Sequence, residues 1–381
     1  MASRLAIAVS AIGFGQSAFV SLVPLMIERL HLDAFAIGAA TAAGAAAFLV
    51  GAPLWGAAGE RLGQSRLLRL LAVVMLAAQV IFAGLLFEAP QAPALAIGVL
   101  VLSRVIYGLA ASGVMPTAQV WVSRSVAEEQ RRGALGLISA GVSSGRLAGS
   151  LPAALAFISP LLPLALFVVS PIMLWLAPRG RAPEAKTDRA PAARLMPFDR
   201  RILPMLAMGL CLTLGFGQVQ IALGPMIGRK FGLDATPATS ATGVALMLVA
   251  VVMIAVQVLV AARLRLSERG SVLTGCILTA TGMAALALAE SYPTAIAALV
   301  CAAFGIAVAT PGYTAWLMRK VAPAQQGAAA GWLASTHVVG QSAGALAGGY
   351  GFTIWPYAPL LACAALAVVA TLIAAATRTT P

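Results

Sequence analysis

Gly13-Phe14-Gly15-Gln16, followed by Pro24 and Leu32-Asp33, returns as Gly215-Phe216-Gly217-Gln218, followed by Pro225 and Leu233-Asp234, in a chain of 381 residues. The first phrase recurs 202 residues on. A second echo strengthens the pattern: Arg124-x-Val126-Ala127 matches Arg319-x-Val321-Ala322, and Gly145-x-x-x-Gly149 matches Gly340-x-x-x-Gly344, both at a spacing of 195. The chain therefore reads as two copies of one unit. Because the echoes lie inside long apolar stretches, the duplication points to a membrane machine.

Composition agrees. Hydrophobic residues make up 61% of the chain and charged residues 10%, against about 25% charged in a soluble domain. Apolar runs of membrane-crossing length recur at 4–27, 35–58, 67–87, 93–121, 133–157, 159–177, 202–228, 238–262, 270–289, 293–319, 327–349 and 355–377; a crossing needs about 20 residues. The runs lack polar alternation and are filled with Gly and Ala, which favours closely packed helices over a β-barrel. The expected class is an all-α membrane protein of twelve transmembrane helices in two parallel six-helix repeats. The first run follows Arg4 and is too long for a signal peptide, so it is read as a retained helix.

The net charge of +13 would suggest nucleic acid in a soluble protein, but position decides otherwise. Apart from Arg29, Arg229 and Lys230 on the other side, and Arg104 and Arg146 inside the runs, the basic residues fall at the two termini and in the even-numbered loops. By the positive-inside rule both termini are cytoplasmic, in a bacterial-type inner membrane, and no nucleic-acid partner is implied. Residues 178–201 carry four prolines, seven basic and three acidic residues, and read as a cytoplasmic linker between an N-terminal bundle (1–177) and a C-terminal bundle (202–381). Cys211, Cys276, Cys301 and Cys363 have neither CxxC spacing nor histidine companions, so they read as apolar fillers rather than disulfides or metal ligands.

Gly56-Ala57-Ala58-Gly59-Glu60-Arg61-Leu62-Gly63-Gln64-Ser65-Arg66, between the second and third runs, resembles the G-x-x-x-[D/E]-[R/K]-x-G-x-[R/K]-[R/K] motif of the major facilitator superfamily. Arg104-Val-Ile-Tyr107-Gly108-Leu-Ala-Ala111 is similar to that family's R-x-x-q-G-x-g-a pattern, with Tyr107 where Gln is usual. Gly141-Val-Ser-Ser-Gly145-Arg146-Leu-Ala-Gly149-Ser150 keeps the glycine frame of the drug:proton antiporter motif but has Arg146 at its proline position. The resemblance implies two bundles rocking about a central site, with Gly56, Glu60, Arg61, Gly63 and Arg66 latching the inner gate. In the second half, Gln257 to Arg265 keeps two arginines without the acid, which implies a weaker latch.

All twelve acidic residues fall in loops or at run ends, whereas Arg104 and Arg146 lie deep in the fourth and fifth runs. A buried Arg costs at least about 2.5–3.5 kcal/mol and should meet a cavity or a partner. Two such cations without an acid create a demand for a carboxylate or phosphate; carbonyls and polar side chains of neighbouring helices are the other way of satisfying them. Tyr107 shares a helical face with Arg104, and it either orients that guanidinium or simply packs. Gln16 and Gln218, on the repeated runs, are candidate substrate contacts, with Gln220 assigned to a different face. Gln341 aligns with Arg146 in the second copy, and His337, one turn before it, is the candidate for coupling to protons, a histidine hydrogen-bonded within a helix interface being the other reading. Phe304, Tyr313 and Trp316 could form an aromatic wall, with interfacial anchoring the better account of Trp316.

No P-loop, GxSxG or HExxH is present, so neither enzymatic activity nor a cofactor is expected and a gradient must supply the energy. The expectation is a monomeric secondary transporter of a small organic anion, such as a polycarboxylate metabolite or a carboxylate siderophore, working as an exporter. Its rivals are proton-coupled multidrug efflux, uptake of a small metabolite, and a membrane receptor that does not transport.

Overall fold

The computed structural model describes residues 1–88, 92–159, 161–180, 195–256 and 267–377, with the side chains of Gly56, Ala57, Glu60, Glu128, Glu129 and Arg132 outside that description. Regular structure among the described residues is entirely helical. The first six expected runs become α1 (Ala2–Ser21), α2 (Val23–Leu30), α3 (Ala34–Leu62), α4 (Gln64–Glu88), α5 (Pro93–Ser125), α6 (Glu128–Ala154) and α7 (Leu161–Val169), the last continued by a 3-10 segment, Ser170–Leu176. The others become α8 (Leu203–Phe231), α9 (Ala235–Ala255), α10 (Glu268–Leu288), α11 (Tyr292–Arg319), α12 (Gln326–Ile354) and α13 (Ala358–Ala376). The first run is two helices because Pro24 cannot continue the hydrogen-bond ladder past the break at Leu22.

Nine of these helices are long and apolar enough to cross a membrane on their own composition. The remaining three expected crossings are α6, α12 and the short Leu161–Leu176 segment. In α6 and α12 the hydropathy is diluted by Gly, Ser and Gln, and by Arg146 and His337. Two of these least lipid-like helices carry Arg146, His337 and Gln341 of the candidate site.

Local chemistry sets the ends. Asp33 accepts from the Ala36 amide at 2.8 Å to open α3, and Ser267 accepts from the Gly270 amide at 3.1 Å to open α10. Ser291 and Thr294 form a capping box at the start of α11. Gly63, at a φ of +82°, closes α3 with its amide on the Gly59 carbonyl. A further echo of the duplication lies inside the helices, where Pro116 of α5 and Pro311 of α11 occupy the same repeat position.

By contacts the chain forms two compact units: Met1–Lys186 with Leu223–Ala250, and Thr187–Ala222 with Val251–Pro381. The first unit takes in the end of α8 and most of α9 for identifiable reasons. The Ser240 hydroxyl donates to the Ala154 carbonyl at 2.7 Å, Gly243 lies against the Ala153–Ala154 backbone, and Gly224 rests on the Pro24 ring. Within this unit α1 also crosses α6 closely, because Gly141, Gly145 and Gly149 sit on the carbonyls of Ala6, Ser10 and Phe14. In the second unit α8 and α12 repeat that crossing through Gly217, Gly340, Gly344 and Gly348.

The four cysteines are free thiols, Cys276 and Cys363 buried and the other two half-buried. Residues 181–194 of the linker and 257–266, which include the second-half loop Gln257 to Arg265, lie outside the described residues.

Candidate functional site

The α1–α6 crossing brings two predicted site residues together. With Gly13 against the backbone of Val142 and Arg146, the helices are close enough for the Arg146 guanidinium to donate to Gln16 Oε1 at 3.3 Å. Both side chains are half-buried, so the pair keeps free surface. An amide oxygen orients a guanidinium but leaves its charge uncompensated, so the remaining N–H groups stay available to an anionic group.

Arg104 is placed differently. Its side chain is 5% exposed and enclosed by aromatic rings from α1, α4, α5 and α7: the guanidinium carbon lies 4.3 Å from the centroid of Phe19, 5.1 Å from Tyr107, 5.2 Å from Phe82 and 5.8 Å from Phe167. Nε reaches the Ser103 hydroxyl at 3.5 Å, while Nη2 is sealed among the rings. Each ring face is worth about 0.5–2 kcal/mol, so several together offset much of the insertion cost of the charge. Tyr107 completes the cage, and its hydroxyl lies so near Gly15 that a Cβ there would approach it to 2.5 Å. The fully buried Gln79 braces the same region, its amide nitrogen assigned toward the Phe167 and Val168 carbonyls at 3.0 and 3.1 Å. The expected two-arginine half-site is therefore divided. Arg146 is half-buried beside Gln16, whereas Arg104 and Tyr107 are taken up by a ring cage that periodicity alone does not reveal.

In the second unit Gln341 donates to Gln220 Oε1 at 2.7 Å, and both residues are half-buried. Gln218 is 5% exposed and packs under Gly348. The residue passed over in the sequence is thus Gln220. The cause is a change of register: in the first copy Gly13 meets α6, but in the second Gly217 meets α12, while Gly215 packs on Cys363 of α13. A shift of two positions turns a helix by about 200°, which carries Gln218 inward and Gln220 outward.

His337 shares this crossing. Its Nε2 lies 2.9 Å from the Tyr313 hydroxyl, the rings meet edge to face at a centroid distance of 5.7 Å, and Gly209 of α8 leaves room for the imidazole. Trp316 is a core residue beside Tyr313, not an interfacial anchor, because α11 turns its ring into the hydrophobic cluster around Met205 and Leu317. Phe304 belongs to a separate small cluster with Val256 and Val308.

At the helix ends, Arg61 and Arg66 of the expected gate are exposed and Gly63 makes the turn between α3 and α4, while the side chains of Gly56 and Glu60 lie outside the description. In the second unit Glu268 pairs with Arg319 at 2.6 Å, across the ends of α10 and α11. With the Arg319 side chain 70% exposed, such a pair contributes at most about 1 kcal/mol.

Nine described helices long and apolar enough to cross a membrane, packed through glycine-lined crossings, define a multi-pass helical membrane protein. The chain belongs to the Major Facilitator Superfamily, whose sequence model matches residues 5–267. No curated protein sequence matches it significantly. Among solved structures it is similar to a bacterial homologue of the human lysosomal transporter Spinster in an inward-facing, unoccupied conformation (16% identity, TM-score 0.72, covering 98% of this chain and 94% of that one). It is also similar to the nucleoside transporter NupG (14%, TM-score 0.70, 98% of each chain). A third likeness is to the human organic anion transporter MFSD10 (16%, TM-score 0.64, 98% and 99%). The protein is a multi-pass membrane protein and a secondary transporter, not an enzyme. These likenesses carry the fold and do not extend to membership of the drug:proton antiporters.

Proposed function

We propose that this transporter moves a small organic anion by alternating access of two six-helix bundles, residues 1–177 and 202–381, joined by the linker 178–201, and that Arg146 with Gln16 is the cationic part of its binding site. The single observation that carries the reading is the Arg146–Gln16 pair: a half-buried guanidinium midway along α6, with free surface and a neutral amide at 3.3 Å. In the second unit Gln341 and Gln220 form a neutral hydrogen-bonded pair of their own. The glycine frame of residues 141–149 supports export, and the one-sided distribution of Lys and Arg supports an inner-membrane protein with both termini cytoplasmic.

The test is counterflow of labelled di- and tricarboxylates in proteoliposomes. Wild-type protein should exchange at least one of them. Arg146→Gln should reduce exchange at least tenfold and Arg146→Lys less, because Lys keeps the charge without the two-pronged geometry. Equal exchange by the wild type and Arg146→Gln overturns the reading. Multidrug efflux is the second reading, favoured by the antiporter-like glycines. It predicts a resistance profile toward cationic drugs that Arg146→Gln leaves unaltered.

A further inference from the structure

We propose that residues 195–201, where the linker meets α8, form an interfacial hook: Met196 and Phe198 enter the acyl region of the adjoining leaflet, and Arg200 binds the phosphate of an anionic phospholipid. The segment has a fixed shape. Pro197 stands at the second position of a turn closed by the Asp199 amide on the Met196 carbonyl at 3.2 Å, a position its locked φ suits. The Asp199 carboxylate then accepts from the Arg201 amide at 2.9 Å, and the Asp199 carbonyl accepts from the Ile202 and Leu203 amides at 3.0 Å, which leads the chain straight into α8.

The turn is also held at a definite depth. Leu195, 7% exposed, belongs to the same buried cluster as Ile202, Met205 and Leu206 and as Leu333 of α12, and the Trp332 indole N–H donates to its carbonyl at 2.9 Å. The chain therefore lies back against the first turns of α8 instead of running away from the bundle. With 29 residues α8 is about 44 Å long, and a bilayer with its headgroups is about 40–45 Å thick. Arg229 and Lys230 mark the other end of that helix. A turn beside Met205 and Leu206 thus stands in the headgroup layer or just beneath it.

At that depth the side chains on show suit lipid rather than water. Met196 is 68% exposed and Phe198 79%, and Arg200 and Arg201 are exposed beside them. Asp199 is the one carboxylate of the turn, and Arg201 occupies it through contacts of 2.7 to 3.1 Å. Arg200 has no carboxylate partner among the described residues. Two apolar side chains next to an uncompensated guanidinium make an interfacial anchor, in which the first partition into acyl chains and the second meets a lipid phosphate. An acidic protein partner would satisfy Arg200, but it would have to displace lipid to cover Met196 and Phe198.

The test attaches a nitroxide to a Phe198→Cys variant of the full chain, with Cys211, Cys276, Cys301 and Cys363 replaced by Ala, in nanodiscs of phosphatidylcholine and phosphatidylglycerol. The hook predicts that the label collides more with oxygen than with a water-soluble nickel chelate. Trp332→Phe removes the bond to Leu195 and should raise the nickel contact about twofold or more. Native mass spectrometry of protein that keeps its cysteines, released from the same lipids, is the second readout, and it decides alone if the cysteine-free chain does not fold. There Arg200→Gln should carry one phosphatidylglycerol fewer than the wild type, with phosphatidylcholine unchanged. Stronger contact with nickel than with oxygen, contact with neither, or phosphatidylglycerol retention unaltered by Arg200→Gln would overturn the hook. Neither readout needs a substrate, so both succeed or fail independently of the anion reading above.

Discussion

Gln341 donates its amide to Gln220 at 2.7 Å, although the residue that aligns with Gln16 in the repeat is Gln218. The same four-residue phrase thus serves two different helix faces in the two copies. In the first, Gln16 reaches the Arg146 side chain on α6; in the second, Gln218 is buried and its neighbour two positions on takes the corresponding outward place.

Substitutions at these two glutamines should separate accordingly. Gln220→Leu should raise the KM for the transported solute several-fold while leaving membrane abundance unchanged. Gln218→Leu should act through packing, lowering thermal stability in detergent, since Gln218 is 5% exposed and its backbone lies against Gly348. Substrate flux measured beside fluorescence-detected gel filtration distinguishes them, and the reverse pattern would show that the assignment of register is mistaken.

Arg104 should prove a structural charge. Arg104→Met fills the ring cage with an apolar chain of similar length, and such replacements of buried charges are commonly neutral or stabilising. Arg104→Ala should be less stable than Arg104→Met by about 2 kcal/mol or more, the usual scale for an emptied core position. Phe19→Leu removes the nearest ring and should cost about 0.5–2 kcal/mol. Thermal unfolding of the purified variants gives the ranking. An Arg104→Met protein that is folded but unable to exchange the solute would return Arg104 to the binding site.

Two glycines of α6 provide a matched pair. A side chain at Gly145 would fall on the Ser10 backbone, whereas nothing lies within 4 Å of a Cβ at Gly133. Gly145→Val should destabilise by about 1–3 kcal/mol or more through overpacking and reduce abundance in the membrane. Gly133→Val should be close to neutral in the same assay.

The pH dependence of transport should owe nothing to the linker. Side-chain and backbone hydrogen bonds from Arg201 hold the Asp199 carboxyl below its usual range. A depressed carboxylate pKa contributes stability that is fully present above the unfolded value of about 3.9 and is lost only as the pH falls through the folded value. Asp199→Asn should therefore leave the transport profile between pH 5 and 8 unchanged. A shift in that window would place the linker in the transport cycle.

Much of this molecule is legible without coordinates because its causes are local or additive. Twelve apolar runs, the sidedness of the arginines and the repeated Gly-Phe-Gly-Gln phrase follow from the membrane's demand for satisfied backbones and from the small residues that let helices approach. Arg146, Gln16, Gln341 and His337 could be singled out because a polar residue deep in an apolar run is costly wherever it sits.

What only the tertiary structure decided is which way each of those side chains faces and what it meets. A helix turns about 100° per residue, so a two-residue change of register between the copies exchanges the inward and outward glutamines without any mark in the sequence. The cage around Arg104 joins Phe19, Phe82, Tyr107 and Phe167 from four helices, and the Tyr313 partner of His337 comes from α11. Composition and period record that such groups exist. Their meeting depends on how α1, α4, α5 and α7, and separately α8, α11 and α12, close on one another through glycine contacts and side-chain packing that no single helix contains.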